Sequence, residues 1–183
     1  MPATTTFEIL FALLAEHGNE QYGGEGVTQL QHALQTAQLA EQAGAPLTLI
    51  AAALFHDIGH LAHALGEDAT ARGIDDHHEA RAVGLLKPVF GEAVWRPVAL
   101  HVQAKRWLCA SEPGYAAQLS EESQRSLALQ GGPMTAVEAK SFASLPYSAE
   151  AIALRRWDDL AKDQNATPPP LRHHQMRMTA LIS

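Results

Sequence analysis

Apolar residues recur along this chain at intervals of three and four positions, which is the period of an amphipathic helix. The first such segment, residues 5–16, carries Phe7, Leu10, Phe11 and Leu14 on one face. No segment shows the apolar–polar alternation of a strand, and no internal repeat is visible. The pattern predicts helices over residues 5–16, 29–43, 47–56, 78–86, 92–108, 120–129, 136–144 and 148–162, with a last helix beginning at about residue 171.

Glycine, proline and polar residues separate these helices. A glycine-rich loop covers residues 19–26, a polar loop covers residues 66–76, and Pro168-Pro169-Pro170 gives an extended segment before the last helix. Alanine and leucine are abundant while β-branched and aromatic residues are few, which favours helix over strand. With 183 residues, the chain is predicted to form one all-α domain, a helical bundle spanning residues 1–183.

Composition excludes several classes of partner. The formal net charge of −7 argues against binding to nucleic acid, which needs a basic surface. No segment approaches the apolar length of a membrane span, and residues 1–6 lack the features of a signal peptide. Cys109 is the single cysteine, so a reducing, cytoplasmic location is expected. The sequence carries no signal of an oligomeric state.

The most informative of the ten histidines is His56, because Asp57 follows it directly. A single histidine is more often a surface residue or a satisfied core residue than a ligand. This pair, however, stands at the end of an apolar helix, where burying both groups without a partner is costly. Adjacent His and Asp suit first-row divalent metals. His60 is four residues from His56, so a shared helix face is expected.

Two further pairs at helical spacing join a plausible ligand to a cation. His101 and Lys105 are four residues apart, on the same stripe as apolar residues, so both are expected to point inward. Arg155 and Asp158 are three residues apart. A buried lysine and arginine beside metal ligands favour an anion bound next to the metals. The alternative is an ordinary salt bridge on a solvated face.

These residues resemble the six-ligand pattern of the HD-domain di-iron oxygenases, which include myo-inositol oxygenase and the phosphonate-cleaving PhnZ-type enzymes. The matching segments cover most of the chain: Tyr22–Glu25, Gln29–His32, Ala52–His60, His78–Glu79, His101–Arg106, Leu129–Gly132 and Arg156–Asp158. The His-Asp pair alone marks a very large superfamily. Six ligands with a lysine four residues after the fifth are a specific signal of the PhnZ-type group.

The resemblance implies a role for each matching residue. One iron would be held by His32, His56, Asp57 and Asp158, and the other by Asp57, His78 and His101, with Asp57 bridging. The phosphonate would be received by His60, Lys105, Ser123 and Arg155. Tyr22 and Glu25 would belong to a mobile loop that occupies the open metal position until substrate arrives. Glu79, next to a ligand, would support that ligand.

The implied reaction uses an Fe(II)/Fe(III) pair and O2 to cleave the carbon–phosphorus bond of a 1-hydroxyphosphonate, releasing phosphate and a carboxylic acid. Two substrates fit the resemblance: (R)-1-hydroxy-2-(trimethylamino)ethylphosphonate, giving glycine betaine, and 2-amino-1-hydroxyethylphosphonate, giving glycine. A quaternary ammonium favours aromatic walls, which Tyr22, Trp107 and Trp157 could supply. This slightly favours the trimethylated substrate.

Two other functions compete with this one. A metal-dependent HD phosphohydrolase would use the same ligand types with redox-silent metals, to hydrolyse a nucleotide or a phosphate monoester. A non-catalytic sensor would be expected to have lost a ligand, and none is missing. The remaining histidines are left out of the predicted site, and His173 and His174 are expected at the surface of the polar C-terminal segment.

Overall fold

The computed structural model describes residues 5–22, 25–62 and 77–182. This part of the chain contains ten α-helices: α1 Phe7–His17, α2 Gln29–Gln42, α3 Leu47–Phe55, α4 His78–Leu86, α5 Glu92–Ser111, α6 Tyr115–Gln118, α7 Glu121–Leu129, α8 Ala136–Ala143, α9 Ser148–Leu160 and α10 Leu171–Met178. Short 3-10 helices cover Ile58–Ala62 and Thr179–Leu181. The described β-type pairing is one antiparallel bridge between Gln21 and Thr28. The predicted all-α class is confirmed.

The helix boundaries follow the capping residues of the sequence. The Thr28 hydroxyl accepts from the backbone of Gln31, whose side chain in turn accepts from the Thr28 backbone, so α2 begins with a full capping box. The prediction was wrong for α6, which was missed, and too short for α5, which continues to Ser111. α6 follows Gly114, in a left-handed conformation, and packs Tyr115 into a small core beside Leu108, a tertiary contact that local pattern does not encode.

The longest helix, α5, packs against α3, α4 and α9, and α2 packs against α3 and α9. α10 packs against α1 and α3. Every residue of α3 from Leu49 to Phe55 is buried, as expected of a helix surrounded by others. Although α3 is wholly apolar apart from Thr48, neither it nor any other described helix has the length and apolarity to cross a membrane. The chain therefore leaves α3 at His56 inside the bundle.

Candidate metal centre

The six residues predicted as metal ligands lie together in the interior of the bundle, and all of them are buried. They form two groups, in each of which one ligand atom per residue lies within 4.8 Å of the others. The first group contains His32, His56, Asp57 and Asp158, and the second contains Asp57, His78 and His101. These residues come from α2, α4, α5, α9 and the turn after α3, so only the tertiary fold assembles them.

Asp57 is shared because its two carboxylate oxygens face different histidine pairs. Its Oδ2 lies 3.3 Å from Nε2 of His56 and 3.7 Å from Nε2 of His32. Its Oδ1 lies 3.4 Å from Nε2 of His78 and 3.5 Å from Nε2 of His101. One carboxylate thus stands between two sets of imidazole nitrogens, which is the arrangement that a bridging ligand requires.

The histidine tautomers also suit metal binding. Three Nδ1 atoms lie 2.9, 2.9 and 2.7 Å from backbone carbonyl oxygens, in the pairs His32–Ala161, His56–Ala53 and His101–Val98. A neutral imidazole that donates from Nδ1 keeps an unprotonated lone pair on Nε2. The Nε2 atoms of His32 and His56 are only 3.2 Å apart, and those of His78 and His101 only 3.1 Å apart. Two lone pairs at that distance repel each other unless a proton or a metal ion lies between them, so the donor set fits bound metal ions.

The charges of the cluster point the same way. Burial opposes ionisation of Asp57, but the charge of His56 and hydrogen bonds from His101 and His56 outweigh it and hold the pKa of Asp57 well below its ordinary value. For His56, burial is outweighed by Asp57 and Asp158, which raise its pKa to about 10. In the metal-free protein the two carboxylates thus favour a proton on His56, and a divalent ion that displaces this proton would supply the same positive charge.

Glycine at position 59 allows α4 to approach the His-Asp turn. A Cβ there would lie 2.0 Å from the carbonyl oxygen of His78, so no other residue lets that ligand come so close. The expected helix face shared by His56 and His60 is wrong, because α3 ends at Phe55 and a 3-10 helix follows. His60 instead stacks on the ring of His78, with centroids 4.1 Å apart.

Lys105 is buried on the wall beside the cluster, as predicted, with only 3% of its surface exposed. Its Nζ donates to Oγ of Ser126 at 2.7 Å, and that hydroxyl donates to the carbonyl of Ser123 at 3.1 Å. Burial and the charge of Arg155 lower the pKa of Lys105 to about 7, against the opposing charges of Asp158, Asp159 and Asp57. Because burial disfavours the charged form of Lys105, a bound anion that restores its charge would be stabilised there.

Arg155 is buried next to Lys105 and is held by carboxylates. Its Nη1 lies 2.7 Å from Oδ2 of Asp158, so the other oxygen of Asp158 remains directed at His32, 3.3 Å away. Its Nη2 bonds to Asp159 and, at 3.3 Å, to Oγ of Ser123. Asp159 and Ser126 were not among the predicted site residues, although Asp159 stands four residues after Arg155 on the same helix face.

Tyr22 covers one side of the cluster. Its ring stacks on His32 with centroids 3.9 Å apart, and its hydroxyl lies 3.5 Å from Oδ1 of Asp158. Burial, followed by the charges of Asp57 and Asp158, raises the pKa of Tyr22 well above its ordinary value. Glu25 belongs to neither ligand group of the described residues. Its carboxylate pairs instead with Lys162, at 2.7 Å, a partner that the sequence analysis missed.

The structure tests some of the expectations for residues outside the six-ligand set. Of the three rings expected to surround a quaternary ammonium, Tyr22 stacks on a predicted ligand, while Trp107 packs on Phe142 and Trp157 packs against the main core. The surface position expected of His174 is wrong, because that side chain is buried. Glu79 lies beside its ligand neighbour as expected, with Oε2 3.8 Å from Nδ1 of His78. The predicted loop at residues 66–76 and the glycines at 23 and 24 lie outside the described residues.

Comparison with known proteins extends these findings. The HD domain profile matches residues 30–163. Hydroxymethylphosphonate dioxygenase of Gimesia maris is 43% identical over 174 residues, which is 94% of this chain and 86% of that protein. The 1-hydroxy-2-(trimethylamino)ethylphosphonate dioxygenase (glycine-betaine-forming) of Leisingera caerulea is 39% identical over 166 residues, covering 91% and 85%. An uncharacterised protein of Acanthamoeba polyphaga mimivirus is 32% identical over 173 residues, covering 93% and 79%. The resemblance to PhnZ-type enzymes is therefore confirmed, and the chain belongs to the HD-domain family.

Proposed function

We propose that this protein is a di-iron oxygenase that uses O2 to cleave the carbon–phosphorus bond of a 1-hydroxyphosphonate, releasing phosphate and a carboxylic acid. The observation that carries the proposal is the position of Asp57 between two imidazole pairs. The buried Lys105 interacts electrostatically with Asp57 and Asp158 of the same cluster. Similarity to two phosphonate dioxygenases along most of the chain supports it.

The residues of the cluster divide naturally between two ions. His32, His56 and Asp158 would hold the first, His78 and His101 would hold the second, and Asp57 would join both. Imidazole and carboxylate ligands suit iron, and also manganese and zinc. Iron is proposed because a carbon–phosphorus bond resists hydrolysis, since carbon is a very poor leaving group, and an Fe(II)/Fe(III) pair supplies the redox chemistry that avoids such a departure.

The phosphonate is received by the cationic wall. Lys105 is buried and pays a desolvation cost that a bound anion relieves, so it is the main contact for a phosphonate oxygen. Arg155 would be a further contact for the phosphonate, and it keeps Asp158 in place through the 2.7 Å contact. Ser123 completes this wall, and His60 approaches from the side of His78.

Tyr22 and Glu25 lie on the side of the first ion from which we expect the substrate to approach. The Tyr22 hydroxyl stands 3.5 Å from Asp158, in the region that a substrate must enter to reach that ion, so substrate displaces the ring. The bond between Glu25 and Lys162 fastens Glu25 to the segment that follows α9. Movement of Glu25 on substrate entry would therefore require this ion pair to break or to move as a unit.

The candidate substrates differ in the group attached to the hydroxylated carbon. The two named relatives span a range from no substituent to a trimethylaminomethyl group. Tyr22, one of the three rings expected to surround a quaternary ammonium, stacks on His32 at the cluster. Hydroxymethylphosphonate, 2-amino-1-hydroxyethylphosphonate and (R)-1-hydroxy-2-(trimethylamino)ethylphosphonate are therefore the three compounds to compare.

The test is to load the protein anaerobically with Fe(II) and to supply each compound with and without O2. Phosphate should appear only with O2, together with one equivalent of formate, glycine or glycine betaine according to the substrate. Zinc-loaded protein is the metal control, and Lys140→Met, which alters an exposed lysine on α8, is the control variant. Phosphate release that is indifferent to O2, or equally supported by zinc, would refute the oxygenase proposal.

A further inference from the structure

A second group of metal-binding side chains joins α10 to α2, away from the residues of the proposed iron centre. It consists of Glu41, near the end of α2, and the adjacent His173 and His174 of α10. Nε2 of His173 lies 3.1 Å from Oε1 of Glu41, and Nδ1 of His174 lies 3.6 Å from the same oxygen. Two imidazole nitrogens thus converge on one carboxylate oxygen, and nothing in the proposed oxygenase reaction uses them.

His174 is the unusual member of this group. Only 1% of its surface is exposed, and neither ring nitrogen has a hydrogen-bond partner among the described residues. A buried polar group without a partner is costly, and native proteins rarely keep one unless an ion or a water satisfies it. Nδ1 points toward Glu41, which is the direction from which a ligand-bound cation would satisfy it.

The ionisation states leave His174 ready to bind. Burial is the largest influence and lowers its pKa to about 4, with His173 and Arg177 acting in the same direction and Glu41 opposing them. The ring is therefore neutral at physiological pH and has a lone pair available. His173 and Glu41 are partly exposed, so a solvent ion can reach the group.

One contact competes with a cation. The guanidinium of Arg177 bonds to Oε1 of Glu41, the oxygen that the two histidines also approach. The Arg177 side chain is 44% exposed, so it can turn toward solvent or move to the other carboxylate oxygen without leaving a buried charge unpaired. This competition can be tested. Removing the charge of Arg177 should tighten the binding of a metal ion, whereas no such effect is expected if the two histidines only pack against Glu41.

We propose that Glu41, His173 and His174 form a separate binding site for a divalent ion of the zinc class, which ties α10 to α2. Two imidazoles and one carboxylate are a donor set that zinc uses with a water molecule as fourth ligand. Because α10 packs against α1 and α3, an ion here would fasten the last described helix to the bundle.

The test is a zinc titration of the iron-loaded protein, with zinc and iron both counted by elemental analysis. The native chain should bind one zinc ion per chain without losing iron. His173→Ala should weaken that binding by at least about tenfold, and it should fold normally because the side chain is partly exposed. His174→Gln should do the same, while His17→Ala, which removes an exposed histidine of α1, should bind as the native chain does.

Arg177→Gln should change the zinc affinity in the opposite direction. Loss of one positive charge a few ångströms from a divalent ion should tighten zinc binding by roughly tenfold at low salt. Zinc should also raise the unfolding temperature of the native chain and not that of His173→Ala. Zinc binding that is unchanged in His173→Ala and His174→Gln would overturn the proposal, as would zinc uptake matched by an equal loss of iron.

Discussion

Replacing Lys105 with methionine should stabilise the fold while weakening the binding of substrate. The folded-state pKa of this lysine is about 7, against an ordinary value of 10.5. The difference of about 3.5 units corresponds to a cost of about 5 kcal/mol for keeping the buried ammonium charged, at about 1.4 kcal/mol per unit. Methionine fills a similar volume without charge but loses the bond to Ser126, worth about 1 kcal/mol. The expected net gain is about 3–4 kcal/mol.

The gain should depend on pH in one direction. Below about pH 7 the lysine is protonated in both the folded and the unfolded chain, so the folded state bears the full cost. Between that pH and 10.5 the folded lysine is neutral while the unfolded lysine still holds its proton, so the cost falls steadily as the pH rises. The advantage of Lys105→Met should therefore shrink to roughly 1 kcal/mol or less near pH 9.5.

Urea unfolding of the metal-free proteins at about pH 6.5 and about pH 9.5 measures both values. Taking the difference between variant and native chain removes the titration of all other groups. Lys140→Met, at an exposed site, should change the free energy of unfolding by less than about 0.5 kcal/mol. The reasoning would be refuted by a Lys105→Met chain that is no more stable than the native one near pH 6.5, or whose advantage is the same at both pH values.

The functional half of this prediction uses the same variant. Loss of a charged contact to the phosphonate should weaken substrate binding by about 30- to 100-fold, corresponding to about 2–3 kcal/mol. Iron content should stay close to that of the native chain, because Lys105 belongs to neither ligand group. Equal loss of iron and of substrate binding would show that the lysine supports the metal centre and does not clamp the anion.

Three further predictions test other parts of the structure. Asp57→Asn should deplete both metal ions, whereas Asp158→Asn should deplete roughly half of the metal, as measured by elemental analysis after dialysis; equal depletion would contradict the bridging position of Asp57. The native kcat/KM should fall as the pH rises through the lowered pKa of Lys105, because the lysine loses its proton, and Lys105→Arg should move that fall to higher pH; a pH profile that is the same in both would count against it. Thr28→Ala should lower the free energy of unfolding by about 1 kcal/mol in urea titrations, since it removes the capping box of α2, and an unchanged midpoint would contradict this.

Much of the architecture was predictable because its signals are local. The start of α2 follows from Thr28 and Gln31, two residues three positions apart, and the buried position of His101 follows from its stripe on α5. The failures share a different cause. α6 depends on Tyr115 meeting Leu108 across a turn, and the partner of Glu25 is Lys162, more than a hundred residues away. Such pairings are selected by packing, which periodicity and capping do not report.

The sequence by itself determined which side chains could serve as ligands and which of them point inward from α5, because residue type and helical spacing are local properties. Helical spacing predicted the inward direction of His101 and Lys105, and the family resemblance supplied the full set of six ligands. Only the tertiary structure decided that the two oxygens of Asp57 face separate histidine pairs, since this orientation depends on how closely α4 approaches at Gly59. It also decided that His174, expected at the surface, is buried against Glu41, because the docking of α10 and not its composition sets that burial.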